Sequence, residues 1–344
     1  MPYRLGSPVT SKKYAAQTVK FSLIIPVAPE RKAEILASIE QLDYPKEAFE
    51  VVVARGRNPS ENRNRGAARA RGDILVFLDD DATLPADYLR QAETFFATYP
   101  GIDIVGGPQL TSAREPGFGR ISWYALSSIF GAWKVSTRYA VKKVMLAADE
   151  TAVSSANLLC QRRVLETVGF DTSLFPGEDP KFIADAARAG FHIAYSPNIV
   201  LYHRRRPTLP TLMRQIFSYG QARPRKETWR QTMTMPFFFL PSLLVCYVLG
   251  LIVLVSVRPQ IIRNPLAVSQ GFQGTPALMK ILFLPLVLYA AAAVFFGIYE
   301  AWRHRDIKAV FFLPLIYPAI HLSYGLGMIW GYIRKAAPGR DLSI

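Results

Sequence analysis

Three adjacent carboxylates, Asp79-Asp80-Asp81, close the apolar run Ile74-Leu-Val-Phe-Leu78. Like charges side by side repel, so the run makes sense where a divalent cation shared with a phosphate offsets them. Magnesium and manganese are hard ions that prefer such oxygen ligands. The competing reading is a helix cap, with Asp81 stabilising the start of a helix over residues 86–96; the strand-end position favours the metal. A second acidic pair, Glu178-Asp179, follows Phe170-Asp-Thr-Ser-Leu-Phe-Pro-Gly and precedes a predicted helix over 181–189. One of its carboxylates can take a proton from an attacking hydroxyl, because a carboxylate beside a metal-bound diphosphate is ionised and within reach. Here too a helix cap is the alternative. His203 ends an extended stretch over 196–202, where it is either structural or a third metal ligand. Between the apolar runs 49–53 and Ile74–Leu78 lies Arg55-Gly-Arg-Asn-Pro-Ser-Glu-Asn-Arg-Asn-Arg65-Gly-Ala-Ala-Arg-Ala-Arg71. Forked guanidinium donors suit a diphosphate, while a solvated helix face accounts for one of Arg69 and Arg71.

These groups need a scaffold that brings strand ends together. Apolar, β-branched runs at Phe21–Val27, 49–53, Ile74–Leu78 and 102–105 read as strands. Ile35, Leu36, Ile39 and Leu42 form the stripe of an amphipathic helix that Pro45 ends. The alternation predicts an α/β domain with a mostly parallel sheet, in which ligands bind beyond the carboxyl ends of the strands. Residues 9–17 read as a short polar lead-in, and no internal repeat is evident.

The rest of the chain is different in kind. Of the 344 residues, 50% are hydrophobic and 12% aromatic, which excludes a disordered or collagen-like chain. The apolar residues concentrate in three runs: Pro236–Val257 without a charged residue, 281–299 between Lys280 and Glu300, and 309–333 between Lys308 and Arg334. Each approaches the roughly 20 residues needed to cross a bilayer. Residues 314–327, with Pro314, Pro318, Gly325 and Gly327, also allow a re-entrant segment. No signal peptide precedes Phe21, so the large N-terminal region is expected on the cytoplasmic side. Between His203 and Arg230 eight basic residues face one acid, Glu227, which fits the positive-inside rule and an interfacial helix on anionic headgroups. The loops after the first two spans and the chain end also carry cations (Arg258, Arg263, Arg303, Arg305, Lys308, Arg340), so charge leaves the later topology open. Residues 119–143, with Trp123, Tyr124, Trp133 and flanking cations, read either as a membrane-facing segment or as a lid over the core. The net charge of +15 points to a polyanionic partner. Nucleic acid is a poor fit, because no reader module accompanies the basic residues and a membrane anchor follows. Cys160 and Cys246 are far apart, without the spacing of a zinc site or a disulfide framework, as expected in a reducing compartment.

Taken in order, the strand, Asp-x-Asp, the Asn157-Leu-Leu-Cys-Gln-Arg-Arg163 segment, Gly169-Phe-Asp171, Glu178-Asp179 and the strand-end His203 resemble the family-2 glycosyltransferases of the GT-A fold. The resemblance covers residues 19–205 and the membrane-anchored architecture. It is greatest to bacterial exopolysaccharide transferases of the succinoglycan type. It implies a Rossmann-like nucleotide-sugar-binding domain over 19–205, a lead-in at 1–18, a basic interfacial segment at 206–235 and a membrane domain at 236–344. By the same resemblance the Ile24-Ile-Pro26-Val strand lines the nucleotide site, and Asn64-Arg-Gly-Ala-Ala-Arg69 matches the stretch before the acidic strand. Asp79 and Asp81 would then hold metal and diphosphate, His203 would touch the metal, Asp179 would be the base, and Glu178 would orient the acceptor. The donor-binding set is Pro26, Arg55, Asn64, Arg65, Asp79, Asp80 and Arg204. Three departures stand out. Val53-Ala-Arg-Gly-Arg replaces the acids expected after the second strand, Ser154-Ser-Ala-Asn157 lacks a common glycine, and Gln221-Ala-Arg-Pro-Arg225 lacks the tryptophan of processive synthases.

The expected reaction is a single, inverting, metal-dependent transfer from a nucleotide-diphosphate sugar to a lipid-linked, polyprenyl-type acceptor. It would occur on the cytoplasmic face of the plasma (inner) membrane, with manganese or magnesium as cofactor, in cell-surface glycan synthesis. Two rivals differ in class: transfer to polyprenyl phosphate itself, which is already anionic and needs no base, and a nucleotide-binding membrane scaffold without turnover. Retained acids at Asp79, Asp81 and Asp179 argue against the scaffold.

Overall fold

Continuous apolar runs become central strands because both of their faces are covered. The computed structural model describes residues 19–112, 115–257 and 275–336; the lead-in at 9–17 and Arg258, Arg263 and Arg340 lie outside the described residues. The main sheet has six strands in the order β2-β1-β3-β7-β5-β8. They are β1 (Phe21–Val27), β2 (Phe49–Arg55), β3 (Ile74–Leu78), β5 (Ile104–Gly106), β7 (Asn157–Gln161) and β8 (Ile193–Tyr195). Strands β2, β1 and β3 are parallel, as are β5 and β8, while β7 runs antiparallel to both β3 and β5. A small second sheet, β4-β9-β6, joins β4 (Ala82–Thr83), β6 (Gln109–Leu110) and β9 (Leu201–His203).

Around the sheet lie α1 (Leu36–Ile39), α2 (Pro59–Arg69), α3 (Tyr88–Thr98), α4 (Gly117–Ser127), α5 (Ile129–Ala132), α6 (Arg162–Thr167) and α7 (Glu178–Arg188). One core layer packs β1 and β3 residues such as Leu23, Ile25 and Val76 against Tyr88, Leu89 and Phe95 of α3. The opposite layer packs Ile24, Leu75 and Phe77 against Phe182, Ile183 and Ala186 of α7.

Some sequence expectations change here. The stretch 196–202 is not one strand. Residues 193–195 complete the main sheet and Leu201–His203 enter the small one, with Pro197 between them, where its missing N–H cannot serve a ladder. The stripe Ile35–Leu42 yields only one turn of helix, Leu36–Ile39, although Ile35, Ile39 and Leu42 are buried as the pattern requires.

Beyond the sheets run α8 (Leu209–Lys226), α9 (Trp229–Met233), α10 (Leu240–Val257), α11 (Thr275–His304) and α12 (Lys308–Ala336). The spans Pro236–Val257, Lys280–His304 and Lys308–Ala336 are long and apolar enough to cross a membrane. The third is a continuous helix through Pro314 and Pro318, not a re-entrant turn. The basic segment is not an isolated surface helix either, because α8 docks along α12. The two backbones meet where side chains are absent: a Cβ on Gly220 would strike the Tyr324 carbonyl oxygen, and one on Gly327 the Phe217 carbonyl oxygen. Its positive charge is partly consumed internally. Arg223 lies 2.8 Å from Glu150 and 3.0 Å from Glu227, and Lys226 lies 2.6 Å from Glu150, all four largely buried. The α4 helix packs Ile121, Tyr124 and Leu126 into one cluster with Leu212, Ile316 and Tyr317, so residues 119–143 form part of the seam to the C-terminal helices.

Candidate active site

The end of β3 delivers Asp79, and the short pairing of β4 with β9 does the rest. Ala82 lies opposite His203 in antiparallel register, which sets Asp81 against a histidine far later in sequence. His203 Nε2 is 2.8 Å from Asp81 Oδ1 and 3.7 Å from Asp79 Oδ2. One ligand atom from each of Asp79, Asp81 and His203 lies within 4.8 Å of the others. Two carboxylates and an imidazole suit manganese or magnesium in this arrangement, so the residues present fit a divalent ion. The His203 Nδ1 is buried without a hydrogen-bond partner.

Arg31, which the sequence reading did not single out, caps this group from the loop after β1. Its Nη2 is 2.9 Å from both Asp80 Oδ1 and Asp81 Oδ2. Burial would raise the Asp81 carboxyl, yet the hydrogen bond and charge of His203, with Arg31, hold it well below the usual range. Asp80 behaves oppositely. Burial, against the opposing charge of Arg31 and with that of Asp81 and Asp79, pushes it up to about 6. Asp79 is also raised, first by burial, although 31% of its side chain is accessible.

The other acidic motif arrives on the first turn of α7. Gly177 caps that helix with φ 112°, a left-handed conformation that favours glycine, and a Cβ there would sit 3.0 Å from Ala222 of α8. Asp179 accepts a hydrogen bond from the Ser155 hydroxyl and keeps 22% of its side chain accessible. Glu178 is buried, where Arg63 Nη1 donates to it at 2.9 Å. Its carboxylate therefore ties Arg63 to the first turn of α7. Burial and the Asp179 charge raise its carboxyl, and Arg63 opposes them.

Arg63 is a second residue the sequence reading did not single out. Its side chain is only 6% exposed, and besides Glu178 it reaches Asp79 at 3.5 Å and Asp179 at 3.8 Å. A signal was present. Arg63, Gly66, Ala67 and Ala70 fall at i, i+3, i+4 and i+7, a small-residue stripe that packs inward. Gly66 and Ala67 are buried, and Gly66 lies against Ile24 of β1. The arginines expected to grip the donor, Arg55, Arg65 and Arg204, are exposed. Arg55 is exposed at the end of β2 and donates to the Arg31 carbonyl at 3.2 Å. Arg65 donates to the Arg55 carbonyl and, at 2.7 Å, to Asn62 Oδ1. Arg204 is exposed beside Glu34 at 3.2 Å. Both polar atoms of the Asn64 carboxamide bind the Phe170 backbone, at 2.8 Å and 2.9 Å, so Asn64 holds the loop before α7. Pro26 is half-buried on β1, level with Ala54 on β2.

Comparison with known proteins adds a second line of evidence. The family model described as "Glycosyltransferase like family 2" matches residues 10–219. The dolichyl N-acetyl-alpha-D-glucosaminyl phosphate 3-beta-D-2,3-diacetamido-2,3-dideoxy-beta-D-glucuronosyltransferase of Methanococcus voltae is 23% identical over 287 residues, 69% of this chain and 84% of its own. Glycosyltransferase AglE of Haloferax volcanii is 24% identical over 232 residues, 58% of this chain and 71% of its own. Among solved structures, the mannosyltransferase PcManGT from Pyrobaculum calidifontis, in complex with GDP-Man and Mn2+, has a TM-score of 0.49 at 17% identity, covering 90% of this chain and 87% of that one.

Proposed function

Because the chain belongs to glycosyltransferase family 2 and is thus a transferase that acts on nucleotide sugars, we propose that it performs one inverting transfer from a nucleotide-diphosphate sugar to a lipid-linked sugar acceptor. The reaction would take place on the cytoplasmic face of the membrane, in cell-surface glycan synthesis. The observation that carries this reading is the grouping of Asp79, Asp81 and His203, with Arg63 linking Asp79 to Asp179, in a chain that also has helices long enough to span a membrane. A Methanococcus voltae relative whose name describes transfer onto a dolichyl-phosphate-linked sugar supports the lipid-linked acceptor.

Asp79, Asp81 and His203 would hold a divalent ion, manganese or magnesium, whose contribution when bound is to neutralise charge on the leaving nucleotide diphosphate. Asp179 removes the proton from the acceptor hydroxyl, which takes the place of the Ser155 hydroxyl as its hydrogen-bond donor. Arg63 keeps Asp179 and Asp79 oriented from below, and Glu178 holds Arg63. Pro26 and the exposed Arg55 at the strand ends border the donor side.

The test is a panel of nucleotide sugars offered to the purified protein in detergent, with extracted lipid-linked acceptors and with or without manganese or magnesium. Release of nucleoside diphosphate that requires both metal and lipid is the expected result. Asp179→Asn should remove transfer by a factor on the order of 10²–10⁴ while nucleotide binding persists. Equal turnover by that variant would remove Asp179 from the role of base.

A further inference from the structure

The three candidate spans are not placed alike, and α12, the least apolar of them, stands apart. At about 1.5 Å per residue its 29 residues extend roughly 43 Å. A helix that crossed a hydrocarbon core of roughly 30 Å would leave its two ends on opposite faces. Both ends of α12 rest instead on parts of the chain that precede the first span. Asp306, just before its first turn, accepts from the Tyr124 hydroxyl of α4 at 3.3 Å. Midway, His321 Nε2 lies 3.0 Å from the Phe130 carbonyl oxygen of α5. Farther along, the Tyr324 hydroxyl accepts from Arg223 at 3.4 Å. In the last turn Lys335 donates to the Pro224 carbonyl and, at 3.2 Å, to that of Glu227.

The neighbour along this length is α8, which runs parallel to α12: Gly220 meets Tyr324, and Gln221 meets Gly331. Helix α8 belongs with the catalytic domain. Its Arg214 is exposed, its Arg223 and Lys226 pair with Glu150, and its Ala222 lies against Gly177 at the start of α7. A helix so charged does not enter hydrocarbon, and α12 lies level with it. The α11 helix also returns to this side, because His304 in its last turn stacks on the Tyr124 ring with centroids 4.1 Å apart. The face of α12 away from α8 is apolar and open. Phe311, Leu315, Leu326, Trp330 and Ile333 recur there at helical spacing, and Phe311 and Leu315 are 69% and 68% exposed. Exposed cations flank the stripe, Arg305 and Lys308 before it and Arg334 after it. An apolar face bordered by cations fits the boundary between acyl chains and anionic headgroups.

We propose that α12 is not a third crossing. It lies in the plane of the membrane beneath the catalytic domain, with its Phe311 to Ile333 stripe in the headgroup boundary of an anionic leaflet. Only α10 and α11 then cross, as a hairpin, and α12 ends on the side of the domain. The assignment stands whether or not the transfer reaction does, since it uses none of the catalytic groups.

The test places single cysteines in the full chain carrying Cys246→Ala, Cys160 being buried. A membrane-impermeant maleimide is added to sealed membrane vesicles of each orientation. Arg334→Cys should label from the same side as Glu166→Cys, an exposed position on α6, and Val257→Cys, at the end of α10, only from the other. Labelling of Arg334→Cys from the side opposite Glu166→Cys would establish a third crossing and overturn the proposal; labelling of Val257→Cys from the side of Glu166→Cys would remove the hairpin and overturn it too. Nitroxides at Leu315→Cys and Leu326→Cys, in vesicles of phosphatidylcholine and phosphatidylglycerol, read depth through collisions with oxygen and with a nickel chelate. Both should report the same shallow depth. A difference of about 16 Å, the rise between the two positions along an α-helix, would restore a transverse helix. Free access of nickel to both labels would take the stripe off the lipid, and shielding that disappears on dilution of the protein in lipid would assign it to a second copy. Each of these results overturns the proposal.

Discussion

Arg63 Nη1 sits 2.9 Å from Glu178 Oε1, joining two residues 115 positions apart in sequence inside the catalytic domain. The same guanidinium reaches Asp79 and Asp179, so one buried cation links the strand-end acids to the proposed base. Removing one partner of a buried pair leaves the other charge uncompensated, at a cost of about 3–5 kcal/mol. Arg63→Ala should therefore lower the stability of the α/β domain by about that amount, seen as earlier thermal or denaturant unfolding. Arg63→Met combined with Glu178→Leu should recover part of the loss, and a double variant no better than Arg63→Ala would argue against the pair.

Metal binding should depend on the register of β4 with β9. Asp81→Asn and His203→Ala each alter one of three candidate donors, and each should weaken manganese binding in the presence of nucleotide by about tenfold or more. Calorimetric titration reads this directly. Unchanged affinity in both variants would exclude this group as the metal site.

Acid sensitivity should arise in the cluster between α8 and the Glu150 loop. Burial alone would raise the Glu227 carboxyl, but Arg223, Lys226 and Thr232 hold it below its ordinary value of 4.5. A carboxyl depressed in the folded state contributes stability that is fully present above the unfolded value and is lost as pH falls through the folded one. Stability should thus decline below about pH 4.5, and Glu227→Gln should flatten that limb while lowering stability at neutral pH. A pH series of unfolding midpoints checks both signs; an equally steep acid limb in the variant would contradict the assignment.

The seam between α8 and α12 should be intolerant of side chains. A Cβ on Gly327 would meet the Phe217 carbonyl oxygen, so Gly327→Val must push the helices apart. The expected outcome is faster proteolysis at the arginines of α8 and loss of transfer, with α7 disturbed through Gly177 and Ala222. Wild-type protection in this variant would show that the contact is not tight.

Much of the site was legible because its signals are local. An apolar strand that ends in three acids advertises itself within eight residues, Ile74 to Asp81, and the Glu178-Asp179 pair does so at a helix start. Arg63 was harder, since in a run of arginines the charge count hides which one faces inward. Only the Gly66, Ala67 and Ala70 stripe marks it. Arg31 carried no pattern at all, because its role follows from the loop after β1 folding back over Asp80 and Asp81.

The sequence by itself determined the α/β domain, the apolar helices that follow it, and the residue types able to hold a metal and move a proton. Composition and short-range periodicity suffice for these, since they reflect which backbone and side-chain groups must leave water. The tertiary structure decided which groups meet. A two-residue strand pairing set His203 on Asp81, a helix face turned Arg63 inward to bind Glu178, and glycine-to-backbone contact drew α8 onto α12. Those choices depend on long-range register and close packing, where a shift of one residue exchanges one face for the other.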